Sequence, residues 1–79
     1  MAAPNPATNW TAVRYTLPQG ATEATLEVSD LLGTAVAAYR IDAGGGQKVL
    51  DLRSLPAGVY MVTLRCQGLR RSEKLVIAR

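Results

Sequence analysis

Apolar and polar residues alternate with period two along most of this chain. In residues 11–17, Val13, Tyr15 and Leu17 alternate with Ala12, Arg14 and Thr16. Residues 22–29 send Ala24, Leu26 and Val28 one way, and Glu23, Thr25, Glu27 and Ser29 the other. Successive side chains of a strand point to opposite faces, so this pattern predicts half-buried strands. Residues 34–41 continue it, with Ala35, Ala37, Tyr39 and Ile41 on a shared face. Alanine is a weak strand former, so this strand rests on its pattern more than its propensity. Leu50 and Leu52 align within a short strand at 48–52. Residues 59–66 form the longest strand, with Tyr60, Val62, Leu64 and Cys66 on one side, and residues 69–77 close the chain. No segment of ten or more residues carries a clean helical period.

Turn residues separate these runs. Leu17-Pro18-Gln19-Gly20 has Pro second and Gly fourth, the signature of a type I turn. In Asp30-Leu31-Leu32-Gly33 the glycine can take the positive φ of a hairpin closed with a bulge. Gly44-Gly45-Gly46 reads as a flexible loop tip. It is no phosphate cradle, because no Lys-Ser/Thr pair follows and no helix begins there. Residues 53–58 make a corner, and Gln67-Gly68 a further turn. Strands spaced this way predict an all-β fold, an immunoglobulin-like antiparallel β-sandwich of about seven short strands. Residues 1–9 read as a linker remnant and the start of the domain, and residues 10–79 as the sandwich.

The corner carries a specific expectation. Immunoglobulin-like sandwiches often place a Tyr after a corner, its hydroxyl bonded back to nearby backbone. Leu55, Gly58 and Tyr60 fit that layout: Leu55 as a core plug, Gly58 at the bend, Tyr60 as the bonded ring. Trp10 stands where its ring could cap the open end of the sandwich, or stack on a sugar. Cys66 is the only cysteine and lies in the apolar alternation, so it reads as a buried thiol.

The chain has 79 residues, 48% hydrophobic and 19% charged, which suits one small folded domain. It has no histidine, which removes the usual Ser-His-Asp and Cys-His arrangements. One cysteine and scattered carboxylates make no metal-ligand set, and no cofactor is implied. The composition therefore argues against an enzyme. No apolar run approaches the roughly 18 residues of a membrane span. No basic segment followed by an apolar run stands at the start, so Met1 reads as the beginning of an excised fragment whose export signal lies elsewhere.

The formal charge is +3 and the isoelectric point about 9.5. Arg65, Arg70, Arg71 and Lys74, with Arg79 beyond, crowd around the final hairpin as a basic rim. The rim could be a solvated edge that discourages aggregation, or a docking surface for an acidic partner or an anionic glycolipid. Nucleic acid is not implied, since aromatics are few and no binding motif is present. The open edge of the closing strand could take an added strand from a receptor, or pair with a second copy.

Three stretches together carry a family resemblance. They are Pro4-Asn5-Pro6 at the start, the stretch from Leu55-Pro56-Ala57-Gly58-Val59-Tyr60 through Leu64, and Lys74-Leu75-Val76-Ile77 near the end. The hairpin around Asp30 and Gly33 adds to them. In this arrangement the chain resembles the C-terminal sorting domain of cargo proteins of the type IX secretion system of Bacteroidetes-type bacteria. The resemblance implies an address label with no catalytic role. It would direct its parent from the periplasm across the outer membrane, to the cell surface or the medium. It implies as partners the outer-membrane translocon and its shuttle components. A sortase-like surface peptidase and, through the parent, an anionic lipopolysaccharide are implied as well. It points to Gly58, Tyr60, Lys74, Leu75, Val76 and Ile77 as recognition positions. The competing reading is an immunoglobulin-like adhesion or carbohydrate-binding module of a surface protein, which would share the fold.

Overall fold

The structure is a computed structural model that describes residues 1–42 and 46–79. Seven strands are described: β1 (Ala2–Ala3), β2 (Trp10–Arg14), β3 (Glu23–Ser29), β4 (Ala35–Asp42), β5 (Gln47–Asp51), β6 (Gly58–Cys66) and β7 (Leu69–Ile77). They form two antiparallel sheets, β1-β2-β5 and β4-β3-β6-β7. This is the all-β sandwich that the alternation predicts. The glycine loop tip falls mostly outside the described residues, at 44 and 45; Gly46 accepts a hydrogen bond from the Tyr15 amide at 3.0 Å.

Facing side chains of the two sheets meet in one core. Leu26, Val28, Leu50, Leu52, Leu75 and Ile77 are each at most 2% exposed. Ala24, Leu26 and Val28 are all buried on β3, and Tyr60, Val62, Leu64 and Cys66 on β6, as their spacing requires. The Cys66 thiol lies 3.6 Å from the Glu23 carbonyl and is free. Burial fades along β4: Ile41 is enclosed, Tyr39 and Ala37 are half-buried, and Ala35 is exposed. That strand is the outer edge of the wider sheet, so little packs over its far end. Burial, with the nearby Asp51 charge, raises the Tyr39 pKa.

Three local details depart from the sequence pattern. β2 stops at Arg14 although the alternation runs to Leu17, because its ladder with β5 ends at the pair Arg14↔Gln47. The following turn runs one residue later than expected. The Ala21 amide bonds the Pro18 carbonyl at 3.1 Å, and Gly20 stands third with φ 87°, which is type II geometry. Trp10 does not cap the sandwich. Thr11 and Val13 face inward, so Trp10 faces outward and stays 51% exposed.

Two hairpins follow the expected chemistry. At Asp30 the carboxylate accepts the amides of Leu32 and Thr34, both at 2.9 Å, and a bulge follows Val28. At the β6–β7 turn, Gln67 and Gly68 both have positive φ, 51° and 81°, as a two-residue hairpin turn demands.

Candidate recognition surface

The corner before β6 is built as the Tyr60 spacing suggests. The Tyr60 hydroxyl donates to the Pro56 carbonyl at 2.6 Å, and the ring is buried. Leu55 is buried in the same core cluster. Gly58 has φ 158°, and a Cβ there would sit 3.8 Å from the Tyr60 ring. The corner is also held from the chain end. The Arg79 guanidinium donates to the carbonyls of Leu52, at 2.6 Å, and Leu55. Arg79 is therefore a bracket for the corner and no part of a rim. Asp51 and Arg53 pair beside it at 2.7 Å. The hydrogen bonds from the Arg53 side chain, then its backbone amide, hold the Asp51 carboxyl down at about 2.

The terminal motif divides by parity. Leu75 and Ile77 point into the core at 0% and 2% exposure. Lys74 is exposed and Val76 half-buried on the other face. A partner that meets the folded domain therefore meets Lys74 and Val76, while Leu75, Ile77 and Tyr60 are enclosed.

The basic residues divide in the same way. Arg65 and Arg70 are direct cross-strand partners on the outer face of the wider sheet. Thr25 continues their row on β3 and Arg40 on β4, so three arginines line one row of four strands. Lys74 lies on the same face, opposite Met61. Arg71 is paired with Leu64, an inward-facing position, and lines a cleft at the side of the sandwich. The expected single rim is thus an outer group of Arg65, Arg70 and Lys74, with Arg71 on the opposite side of its strand. Glu27 approaches Arg65 at 3.8 Å and Glu23 approaches Arg40 at 4.0 Å. Among the described residues, Arg70 and Lys74 have no such partner. Like charges directly opposite one another destabilise a sheet, so the Arg65–Arg70 pair is a local cost.

The N-terminal segment covers half of the closing edge. Pro4 and Pro6 carry no amide hydrogen and cannot join a ladder. Asn5 between them supplies one donor and one acceptor from its side chain, as a peptide group would. Its Nδ2 donates to the Lys74 carbonyl at 2.7 Å, and its Oδ1 accepts from the Val76 amide at 3.0 Å. Ala7 then pairs in parallel with Ile77, through bonds of 2.8 Å to Val76 and Ala78. Upstream, Glu73 accepts the Ala2 amide at 2.6 Å. The edge of β7 is therefore occupied from Lys74 onward. The buried Thr11 hydroxyl donates to the Pro4 carbonyl at 2.8 Å and fixes the segment from its other side. Asn5→Ala is expected to cost about 1–2 kcal/mol for two lost hydrogen bonds, with faster exchange of the Val76 amide. Asn5→Asp should be no better, since it sets a carboxylate against the Lys74 carbonyl. Urea melts check the stability of both, and amide exchange checks the first; an unchanged Val76 rate in Asn5→Ala would show that the side chain does not guard the edge.

A family described as the secretion system C-terminal sorting domain matches residues 2–78. No curated protein matches the chain.

Proposed function

The chain belongs to the secretion system C-terminal sorting domain family, and from that membership and the geometry above we infer how this type IX sorting signal is read. As such a signal it acts with the type IX machinery and takes its parent across the outer membrane, to the cell surface or into the medium. It is a tag on its parent and does no chemistry of its own. The match over nearly the whole chain carries this reading, and favours it over an adhesion or carbohydrate-binding module.

In the finer reading the folded domain is met in the periplasm by shuttle components and delivered to the outer-membrane translocon. The reader contacts the outer face of the wider sheet, where Arg65, Arg70 and Lys74 stand together. The cost of placing Arg65 opposite Arg70 supports this, since a sheet selected for stability alone would avoid it. Gly58, Tyr60, Leu75 and Ile77 act by holding β6 and β7 in register beneath that face. A sortase-like peptidase then acts ahead of the domain, and any anionic lipopolysaccharide is joined to the parent. The closing edge is taken by Asn5 and Ala7 from Lys74 onward, so strand pairing with a second copy would avoid that half and use an outer strand such as β4 or β5.

The test is a fluorescent reporter fused ahead of this chain, in a secreting host with and without the translocon. The unmodified domain should export the reporter only where the translocon is present. Arg70→Ala with Lys74→Ala should reduce export strongly, yet change stability by within about 0.5 kcal/mol each, as solvated surface changes do. Normal export by a stably folded double variant would remove the outer face as the surface that is read. No export with the unmodified domain would count against the sorting reading itself.

A further inference from the structure

The N-terminal segment runs parallel to β7: Ala2 at Glu73, Asn5 at Lys74 and Val76, Ala7 at Ile77. It is at the same time antiparallel to β2, with Ala3↔Ala12 and Ala2↔Val13. Met1 extends that ladder, since its nitrogen donates to the Arg14 carbonyl and its carbonyl accepts the Arg14 amide, both at 2.8 Å. The ladder therefore points onward, along residues 15–17 on one side and residues 72 to 70 on the other.

An open cleft of about 840 Å³ lies in that direction. Leu26 and Leu64 from the core line it, with Tyr15, Leu17 and Leu69 on its walls and Arg71 beside them. Tyr15 and Leu17 are half-buried, though they continue the inward alternation of β2. Among the described residues the Thr16 amide has no backbone partner, and Ser72 is the next position of β7 whose backbone faces this side.

We propose that this cleft receives the polypeptide leading into residue 1 in a parent protein. That segment lies antiparallel to residues 15–17 and parallel to residues 70–72, as an extension of β1. The proposal takes from the sorting reading only the premise that a parent chain lies ahead of the domain. The phase follows from β1. Ala2 is buried and Met1 exposed, so the residue directly before Met1 faces inward and the next faces out. A leader that fits is extended, apolar at alternate positions, and free of proline opposite Thr16, where its carbonyl takes the Thr16 amide and its own amide hydrogen serves the Thr16 carbonyl. The signal would then begin before its recognisable motifs and would hold the junction with its cargo as a strand.

Four chains test this by amide exchange on the purified protein: the 79-residue chain, and the same chain with Thr-Val-Thr-Val, Val-Thr-Val-Thr or Gly-Ser-Gly-Ser joined ahead of Met1. Thr-Val-Thr-Val, with Val inward, should slow exchange at Thr16 and Ser72 about fivefold or more, the protection that one net hydrogen bond confers. The opposite phase puts threonine inward and should protect less, because a one-residue slip turns every side chain to the wrong face. Gly-Ser should leave both amides near their starting rates. Equal rates at both amides in all four chains would overturn the proposal, and so would equal protection by all three leaders. Exchange needs no secretion machinery, so failed export in the reporter assay would leave this result standing.

Discussion

Tyr60→Ala is expected to cost about 3–5 kcal/mol, the usual range for deleting a buried aromatic side chain. The domain's whole stability is expected to be about 4–12 kcal/mol, at the per-residue scale of globular proteins. The substitution can therefore take most of it. Two losses add together. The ring leaves a cavity in the core beside Leu75, its cross-strand partner. The Pro56 carbonyl also loses the donor that now lies 2.6 Å away. Tyr60→Phe separates the two, since it keeps the ring and removes only the hydroxyl. It should cost about 0.5–1.5 kcal/mol, the net value of one hydrogen bond. Urea melts of both variants measure the difference. Near-zero effects in both would show that the corner is not closed by Tyr60. A Phe variant as damaged as the Ala variant would place the energy in the hydroxyl and not in the packing.

Strands were legible in the sequence where large apolar residues mark one face. β3, β6 and β7 have almost the expected bounds because Leu26, Val28, Val62, Leu64, Leu75 and Ile77 fill the inward positions. The alternation runs past the end of β2 because it reports a face, while a strand also needs a partner, and that ladder ends at Gln47. The basic group shows the same limit. Arg70 and Arg71 are neighbours in sequence but lie on opposite sides of β7, so nearness along the chain misplaces one of them. The alternation itself contained that answer. The sequence did not disclose the roles of Asn5 and Arg79. Asn5 bonds Val76 across 71 positions of chain, and Arg79 reaches back 27 positions to Leu52. A composition count cannot distinguish a solvated cation from one that brackets two carbonyls. A clue lay in Pro4-Asn5-Pro6: where the flanking residues cannot donate, the side chain between them is the group left to pair.

Leu75→Ala is the second large effect, and it decides how the terminal motif works. Leu75 is fully enclosed between the sheets, opposite Tyr60. Its truncation should cost about 2–5 kcal/mol, the sum of lost burial and the cavity left behind. Export of a reporter should fall with it. The cause is the question, because Lys74 beside it is exposed and Leu75 is not. Leu75→Met answers it. Methionine nearly conserves volume, so the cost should stay below about 1.5 kcal/mol and the domain should remain folded. If the machine reads the outer face of the folded sheet, Leu75→Met exports normally. Export of Leu75→Ala then follows its folded fraction and recovers at lower temperature, where more of it is native. The measurement pairs reporter export at two temperatures with the urea melt of each purified variant. Lost export of a stably folded Leu75→Met would mean that the enclosed side chain is itself recognised, which requires β7 to leave the sheet at the translocon. Such a result would move the contact from Lys74 and Arg70 to the apolar half of the motif, and the edge guarded by Asn5 would become the point at which opening begins.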